Sequence, residues 1–243
     1  MAKRQRKQRV QDAPRPGLVP AKKDKQFDRL IAVCIPTLDI VFASFMHDLA
    51  TAVAYHVATT NDRVSLVTAQ GTVLAKTRQT MVIDAQNMGA DWIVWLDTDM
   101  RFPPDVISRL LESGNSIVTT NAPKRKEPIG STAHVLNKET KKMELLDIAP
   151  SSEIVRIDTG GFAVAAMEVK VFDRLEKPYF WNPYIPERGI HVGEDIYFCS
   201  ILGKAGIPIM CDLELSEEIG HTGLKDYYLR DARIWKELDD ELQ

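Results

Sequence analysis

The stretch Trp92-Ile93-Val94-Trp95-Leu96-Asp97-Thr98-Asp99-Met100-Arg101-Phe102 decides the fold of this 243-residue chain. Its first five residues are apolar and lie between turn-forming Gly89 and Pro103-Pro104, the pattern of a strand buried on both faces. The strand leads into Asp97 and Asp99, and open α/β sheets hold ligands at the carboxyl ends of their strands. Two carboxylates there suit a hard cation such as Mg²⁺ or Mn²⁺, but they also suit a helix cap, so the rest of the chain must decide.

Strands and helices alternate on both sides of this stretch. Apolar runs predict strands at 30–35, 64–69 and 92–96, and helical periodicity predicts helices at 40–59 and 73–88. Further on, the pattern predicts helices at 104–113, 171–175 and 196–205, strands at 116–120 and 207–211, and a hairpin near 133–145. This order indicates βαβ units and a parallel sheet. Because neither a G-x-G-x-x-G nor a P-loop motif occurs, dinucleotide oxidoreductases and P-loop enzymes are disfavoured.

Charge divides the chain into a basic arm and an acidic globule. Residues 1–25 hold nine Lys and Arg against two Asp, whereas the remainder holds 22 basic and 32 acidic residues. We predict that residues 1–26 are a disordered arm, that 27–225 form one domain, and that 226–243 form a C-terminal helix. The arm either keeps the protein in solution or binds an anionic partner such as DNA.

Cellular location is indicated by what the sequence lacks. Cys34, Cys199 and Cys211 form no C-x-x-C pair, so we expect reduced core residues rather than a zinc site or disulfides. No apolar signal segment precedes Phe27, and the apolar positions of 40–60 recur at helical spacing. We therefore expect a soluble, cytoplasmic protein without a membrane span.

Several motifs follow one another from about residue 30 to 223. They are Ile35-Pro36-Thr37, Arg78, Leu96-Asp97-Thr98-Asp99, Gly160-Gly161-Phe162, Gly193-Glu194-Asp195 with Phe198, Gly206 and His221. In order and spacing this set resembles the GT-A fold glycosyltransferases, which hold a nucleotide-sugar donor through a divalent metal on a D-x-D motif. The resemblance implies a GT-A, Rossmann-like α/β fold: a mixed, mostly parallel sheet flanked by helices in a single domain.

The resemblance also implies a donor site and a metal site. The donor-binding residues would be Pro36, Thr37, Asp39, Arg78, Asp97 and Thr98, with the first three meeting the base and ribose. Asp97, Asp99 and His221 would be the metal ligands. A histidine ligand favours Mn²⁺ over the harder Mg²⁺. We expect a UDP-sugar because uridine is the commonest donor base of the family.

Catalysis is assigned on the same resemblance. Asp195 would be the base that removes the acceptor hydroxyl proton in an inverting displacement, and Glu194 would replace it or bind the acceptor. The acceptor side would include Gly160, Gly161 and Trp181. From spacing alone, Glu194 and Asp195 also suit the start of the helix at 196–205.

The acceptor and the function class stay open at this point. Lys124-Arg125-Lys126 and the basic arm suggest a polyanion, and one such acceptor is a hydroxylated base in DNA, as phage glycosyltransferases modify. Polysaccharide, lipid-linked or protein acceptors are the alternatives, and a non-catalytic protein tethered to nucleic acid is a further class. A sugar-1-phosphate nucleotidyltransferase would need a Gly-rich loop at 36–40, and a haloacid-dehalogenase-type phosphatase would need Thr or Val where Arg101 stands.

Overall fold

A computed structural model of the protein describes residues 27–38, 40–125, 128–223 and 226–230, without the side chains of 226 and 227. The predicted basic arm at 1–26 lies outside the described residues. So do the donor-side residue Asp39, Lys126 of the predicted basic run, and the predicted C-terminal helix from residue 231 onward.

The described residues contain fourteen strands, five α-helices and one 3-10 helix. The strands are β1 Leu30–Thr37, β2 Arg63–Gln70, β3 Trp92–Leu96, β4 Met100–Arg101, β5 Ile117–Thr120, β6 His134–Leu136, β7 Met143–Leu145, β8 Ile154–Ile157, β9 Val164–Glu168, β10 Tyr184–Ile185, β11 Ile190–His191, β12 Ile209–Asp212, β13 Gly220–Thr222 and β14 Asp226–Tyr228. The α-helices are α1 Ala43–Thr59, α2 Leu74–Met88, α3 Val106–Glu112, α4 Glu194–Lys204 and α5 Leu213–Ser216, and the 3-10 helix is Val169–Arg174. The short helix predicted at 171–175 is therefore this tighter 3-10 turn.

Seven strands form the central sheet in the order β2-β1-β3-β9-β5-β12-β8. Strand β1 pairs parallel with β2 and β3, and β12 pairs parallel with β5. Strand β9 runs antiparallel between β3 and β5, and β8 runs antiparallel beside β12. The predicted mixed sheet is confirmed, but its parallel share is smaller than predicted because β9 enters the centre of the sheet in the opposite direction.

The two faces of the sheet carry separate hydrophobic cores. Ile93 and Trp95 of β3 pack on the face covered by α2 and α4, whereas Val94 and Leu96 pack on the face covered by α1 and α3. All four side chains are fully buried. This confirms that 92–96 is a strand buried on both faces, because successive residues of a strand point to opposite sides. The three cysteines are also buried.

A small second sheet, β14-β13-β4, stands at the end of β3. Strand β13 pairs antiparallel with β4 so that His221 lies opposite Met100, directly beside Asp99. Strand β14 occupies residues 226–228, where the sequence predicted the beginning of a helix. That part of the prediction is wrong because the free edge of β13 offers backbone hydrogen bonds that a local helix would have to forgo. In the part of the chain that the structure describes, no helix is long and apolar enough to cross a membrane.

Candidate active site

A pocket of about 500 Å³ opens beside the carboxyl end of β3. Strand β3 and its neighbour β9 run in opposite directions. In α/β sheets, ligands bind at the carboxyl ends of strands beside such a change of direction. The pocket is lined by Leu74, Arg78, Asp97, Ala122, Pro123, Lys124, Arg125, Thr132, Gly161, Phe162, Ala163, Glu194, Asp195 and His221. It thus gathers basic, acidic and imidazole side chains from distant parts of the chain.

Arg78 is the buried cation of this pocket. Its Nη2 lies 2.9 Å from both carboxylate oxygens of Asp97, and its Nε lies 3.7 Å from Oε1 of Glu194. The guanidinium stands over the ring of Trp95, 5.0 Å from its centre, in a cation–π contact. Only 4% of the Arg78 side chain is exposed, and its buried Nη1 has no hydrogen-bond partner among the described residues. A donor left in this state favours an acceptor from a ligand, such as a phosphate or sugar oxygen.

Asp97 carries an unusual pKa. Burial raises the pKa of its carboxyl from 3.8 to about 6; the positive charge of Arg78 opposes this shift, whereas Asp99 and Glu194 add to it. Its own backbone N–H donates to the carbonyl of Ala163 at 2.8 Å, which fixes the end of β3 against the segment that precedes β9. Asp97 is therefore an acid held by Arg78 inside the pocket, and its charge responds to pH near 6.

Asp99 faces a different set of partners. Its Oδ2 lies 3.1 Å from Nε2 of His221 and accepts a hydrogen bond from Nη1 of Arg125 at 3.0 Å. The same Arg125 nitrogen donates to the carbonyl of Thr222 at 2.9 Å, and the Thr222 N–H donates to the Asp99 carbonyl at 2.7 Å. Burial raises the pKa of Asp99, but the hydrogen bond and charge of His221 and the charge of Arg125 outweigh it, so the net pKa is lowered. Asp99 is consequently an ionised carboxylate.

His221 is oriented by its second ring nitrogen. Nδ1 lies 3.0 Å from the carbonyl of Pro123, which can only accept, so Nδ1 carries a proton. Nε2 then points to Asp99. Burial lowers the pKa of His221, but the hydrogen bonds to Asp99 and to the Pro123 carbonyl raise it, with a raised net pKa. A backbone carbonyl that holds Nδ1–H is the usual outer contact of a metal-binding histidine.

These contacts can be tested against a divalent metal. Asp99 and His221 converge with one oxygen and one ring nitrogen, a donor pair that suits Mn²⁺. Asp97 is engaged by Arg78, and the described residues hold no group of three His, Cys, Asp or Glu side chains placed to bind a metal ion together. Asp99 and His221 are thus the pair that could hold a divalent ion together.

Glu194 and Asp195 begin α4. Gly193 is the residue before the first turn and Asp195 accepts a hydrogen bond from the Ile196 N–H at 2.7 Å, so both acids lie within the helix. Acids in the first turn are favoured by the helix dipole. Both also line the pocket, so their position at the helix start is compatible with a place in the candidate site.

Some predicted site residues, including the predicted metal ligand Asp99, lie away from the pocket lining. Pro36 and Thr37 end β1, Thr98 lies in the turn between the two aspartates, and Gly160 is buried. A Cβ on Gly160 would stand 2.8 Å from Cδ1 of Ile157, whereas one on Gly161 would meet nothing within 4 Å. Gly160 therefore serves packing and Gly161 borders the pocket.

The aromatic segment 179–184 is divided between core and surface. Tyr179 and Phe180 are 4% and 2% exposed and pack in the core, where Phe180 contacts Trp95 and Phe198. Trp181 and Tyr184 are more than half exposed. Trp181 does not line the pocket, but it precedes the β10–β11 hairpin that leads directly into Gly193 and α4.

Lys124 and Arg125 are the site residues that sequence reasoning placed elsewhere. The sequence predicts a basic run for a polyanion here, whereas in the structure both residues line the pocket and Arg125 contacts Asp99. Their position after β5, a strand that ends at the same edge of the sheet as β3, was the available signal.

Comparison with known proteins identifies the fold. The crystal structure of A197 from STIV is similar with a TM-score of 0.52 at 13% identity, covering 81% of this chain and 86% of that chain. The crystal structure of GalNAc-T7 with UDP, GalNAc and Mn²⁺ is similar with a TM-score of 0.51 at 12% identity, covering 82% of this chain but 44% of that chain. No protein-family model and no curated protein matches the sequence. At these identities the likeness concerns the fold alone, and together with the sheet described above it establishes that this chain has the GT-A fold.

Proposed function

We propose that the protein is a glycosyltransferase that moves a sugar from a nucleotide-sugar donor to an acceptor hydroxyl group. One observation carries this proposal: a single pocket of a GT-A sheet contains basic groups suited to a diphosphate and a carboxylate suited to act as a base. Arg78, with its buried and unpartnered Nη1, supplies the first property together with Lys124. Asp195 supplies the second.

The donor would lie along the carboxyl ends of the first strands. Pro36 and Thr37, at the end of β1, and Thr98, in the turn after β3, are proposed to meet the nucleoside. Asp39 is proposed with them from its motif alone. Arg78 and Asp97 together would bind donor hydroxyl and phosphate oxygens. GalNAc-T7, which was crystallised with UDP, supports a uridine diphosphate sugar as the first donor to test.

The proposed cofactor is Mn²⁺, with Mg²⁺ as the alternative. Asp99 and His221 would hold it, and GalNAc-T7, crystallised with Mn²⁺, supports the choice. When bound there, a divalent ion would supply positive charge against the charge that develops on the diphosphate leaving group. The Pro123 carbonyl would keep Nδ1 of His221 protonated and leave Nε2 available.

Asp195 is the proposed catalytic base. Its carboxylate borders the pocket and is held by the Ile196 N–H, so it has a fixed position from which to accept the proton of the acceptor hydroxyl. Direct attack by that hydroxyl would invert the sugar's anomeric centre. Glu194, 3.7 Å from Arg78, is proposed as the neighbour that positions Arg78 or contacts the acceptor.

The acceptor is proposed to approach from the side of Gly161 and Trp181, with Gly160 behind them as a packing residue. A hydroxylated base in DNA is one acceptor class, and the basic residues of 1–25 would then add affinity for the phosphate backbone. Deleting residues 1–25 should in that case remove salt-dependent DNA binding. If binding is absent or insensitive to salt in the full chain, polysaccharide, lipid-linked or protein acceptors replace DNA.

The first experiment is a thermal-shift and donor-hydrolysis screen over UDP-, GDP- and dTDP-sugars with Mn²⁺, Mg²⁺ or EDTA. We expect a metal-dependent shift with one nucleotide, lost in Asp99→Ala and retained in Asp173→Asn, a control at an exposed acid outside the pocket. If no nucleotide shifts the protein under any condition, the glycosyltransferase proposal fails.

The second experiment tests the base. Asp195→Asn should bind the donor as the wild type does but lose transfer, by about 10²-fold or more, the usual contribution of a general base. Transfer that continues at the wild-type rate in Asp195→Asn would remove Asp195 from this role and direct attention to Glu194.

A further inference from the structure

Arg125 occupies a chemically distinctive position next to the proposed metal ligands. Its Nη1 bridges Oδ2 of Asp99 and the carbonyl of Thr222, at 3.0 and 2.9 Å. Both acceptors are oxygens, and a divalent cation prefers oxygen ligands of this kind. The Arg125 guanidinium thus lies between two oxygens that would also stabilise a divalent cation.

The Asp99 oxygen that Arg125 uses is also the one that faces His221. Nε2 of His221 lies 3.1 Å from this same Oδ2. A carboxylate oxygen has two lone-pair directions, and in the structure His221 and Arg125 take one each. A divalent ion held between Nε2 of His221 and this Oδ2 would therefore be the second cation on that oxygen, and its charge and that of Arg125 would repel each other.

Arg125 is able to leave this position. Its side chain is 44% exposed, and it stands in the loop that follows β5, without regular secondary structure. The side chain also lines the 500 Å³ pocket, so on leaving Asp99 it has an adjacent place among groups suited to phosphate. The Arg125–Asp99 ion pair is therefore partly exposed to solvent and weakly stabilising, and a divalent ion can displace it.

We propose that Arg125 and the divalent metal are alternative occupants of Asp99, so that metal binding releases the Arg125 guanidinium into the donor pocket. The proposal rests on the proposed function, because it needs a metal at Asp99. It assigns Arg125 a positioning role: it holds Asp99 and the Thr222 backbone together until the metal arrives, and is then free to pair with the donor diphosphate. The arginine keeps the metal affinity of the donor-free protein low.

The test measures Mn²⁺ binding to the full chain without any nucleotide, by the electron paramagnetic resonance signal of free Mn²⁺. Arg125→Ala should bind Mn²⁺ about fivefold more tightly than the wild type, the fold-change that corresponds to an ion pair worth about 1 kcal/mol. Arg125→Gln is the second variant and should behave in the same way, because the neutral amide keeps a polar side chain in the loop. Both should unfold no more than about 4 °C below the wild type, the shift that losing one such ion pair causes in a domain of this size.

Lys124→Ala is the matched control. Lys124 lines the same pocket and carries the same charge, but the structure assigns it no contact with Asp99. If the tighter Mn²⁺ binding of Arg125→Ala arises from loss of the Arg125–Asp99 contact, the increase in Mn²⁺ affinity should be much smaller in Lys124→Ala. Equal increases in Mn²⁺ affinity in Lys124→Ala and Arg125→Ala would overturn the proposal, since removing any positive charge from the pocket would then explain them. Weaker Mn²⁺ binding in Arg125→Ala would also overturn it, because the arginine would then be supporting the site.

The result separates this proposal from the proposed function. If neither wild type nor the Arg125 variants bind Mn²⁺, but a nucleotide-sugar still shifts the protein in EDTA, the competition is wrong and the glycosyltransferase proposal survives. If Arg125→Ala tightens Mn²⁺ binding while no nucleotide-sugar shifts or is hydrolysed, the competition is right and the proposed donor chemistry is wrong.

Discussion

Arg78 places one nitrogen, Nη2, 2.9 Å from both carboxylate oxygens of Asp97, in a site where Asp97 keeps 21% of its side chain exposed. Arg78 does not return the pKa of Asp97 to its ordinary value. Burial raises the pKa of Asp97 from 3.8 to about 6 despite Arg78, and the nearby Asp99 and Glu194 reinforce the rise. The cation therefore reduces, without cancelling, the free energy needed to keep Asp97 ionised in the pocket.

Asp97 should consequently make stability depend on pH. Between about 4 and about 6 the folded protein holds a proton on Asp97 that the unfolded chain has already lost, so the free energy of unfolding contributed by this residue falls as pH rises through that window. In Asp97→Asn this decline should disappear, as measured by urea unfolding at several pH values. Asp173→Asn, with an exposed acid removed, should keep the wild-type slope. An identical slope in Asp97→Asn would show that Asp97 titrates normally.

Arg78 should be important for stability as well as for binding. Arg78→Met leaves the carboxylates of Asp97 and Glu194 facing each other without a cation, which should lower the free energy of unfolding by about 3 kcal/mol. Adding Asp97→Asn should recover part of this loss because one of the uncompensated charges is then gone. Arg156→Met, at an exposed residue of edge strand β8, is the control and should change stability by less than about 0.5 kcal/mol.

His56 should give the opposite pH effect on the other face of the sheet. It is fully buried, with Nδ1 2.8 Å from Oγ of Ser108 and Nε2 3.0 Å from Oδ2 of Asp62. Burial lowers the pKa of His56 below 6.5, although Asp62 raises it, so the unfolded chain takes up the proton first and stability falls as pH drops below about 6.5. Thermal unfolding of His56→Gln should lack this fall. His47→Gln, at an exposed histidine of the same helix, should retain it.

The two adjacent glycines should respond differently to one added methyl group. Gly160→Ala would bring its Cβ 2.8 Å from the end of the Ile157 side chain, which must move, and should cost about 1 kcal/mol of unfolding free energy. Gly161→Ala has space and should leave stability unchanged while narrowing the pocket. Urea unfolding and a donor thermal shift measure the two effects. A larger stability loss in Gly161→Ala than in Gly160→Ala would contradict this division of roles.

Much of the fold was readable because its signals are local. Strand β3 was predicted with its observed bounds, since five consecutive apolar residues between a glycine and a proline pair are compatible with few other secondary structures. Helix α2 ends at Gly89, whose φ of +70° is a left-handed cap that glycine adopts easily, and this too was visible in the sequence.

Other elements depend on partners far along the chain. Val164–Glu168 contains two alanines, which have a low strand propensity, and it becomes strand β9 because β3 and β5 pair with it on both sides. Strand β14 takes the first three residues of the helix predicted at 226–243 for the same reason. At the site, the motifs selected Arg78, Asp97, Glu194, Asp195 and His221, which the fold does bring to one pocket. The contact of Arg125 with Asp99 could not be predicted, because consecutive basic residues show no periodicity from which the direction of each side chain could be inferred.

The pairing of β13 with β4 brings Asp99 and His221 together late in synthesis. Asp99 and His221 are 122 residues apart, and synthesis delivers the chain from its N-terminus. Strands β1 to β3 and both aspartates leave the ribosome long before β13 does, and β12 and β13 follow one another at the end of this fold. A growing or prematurely ended chain therefore carries an acidic edge without its imidazole. A nascent chain therefore cannot assemble the proposed metal-binding pair until β13 has been synthesised.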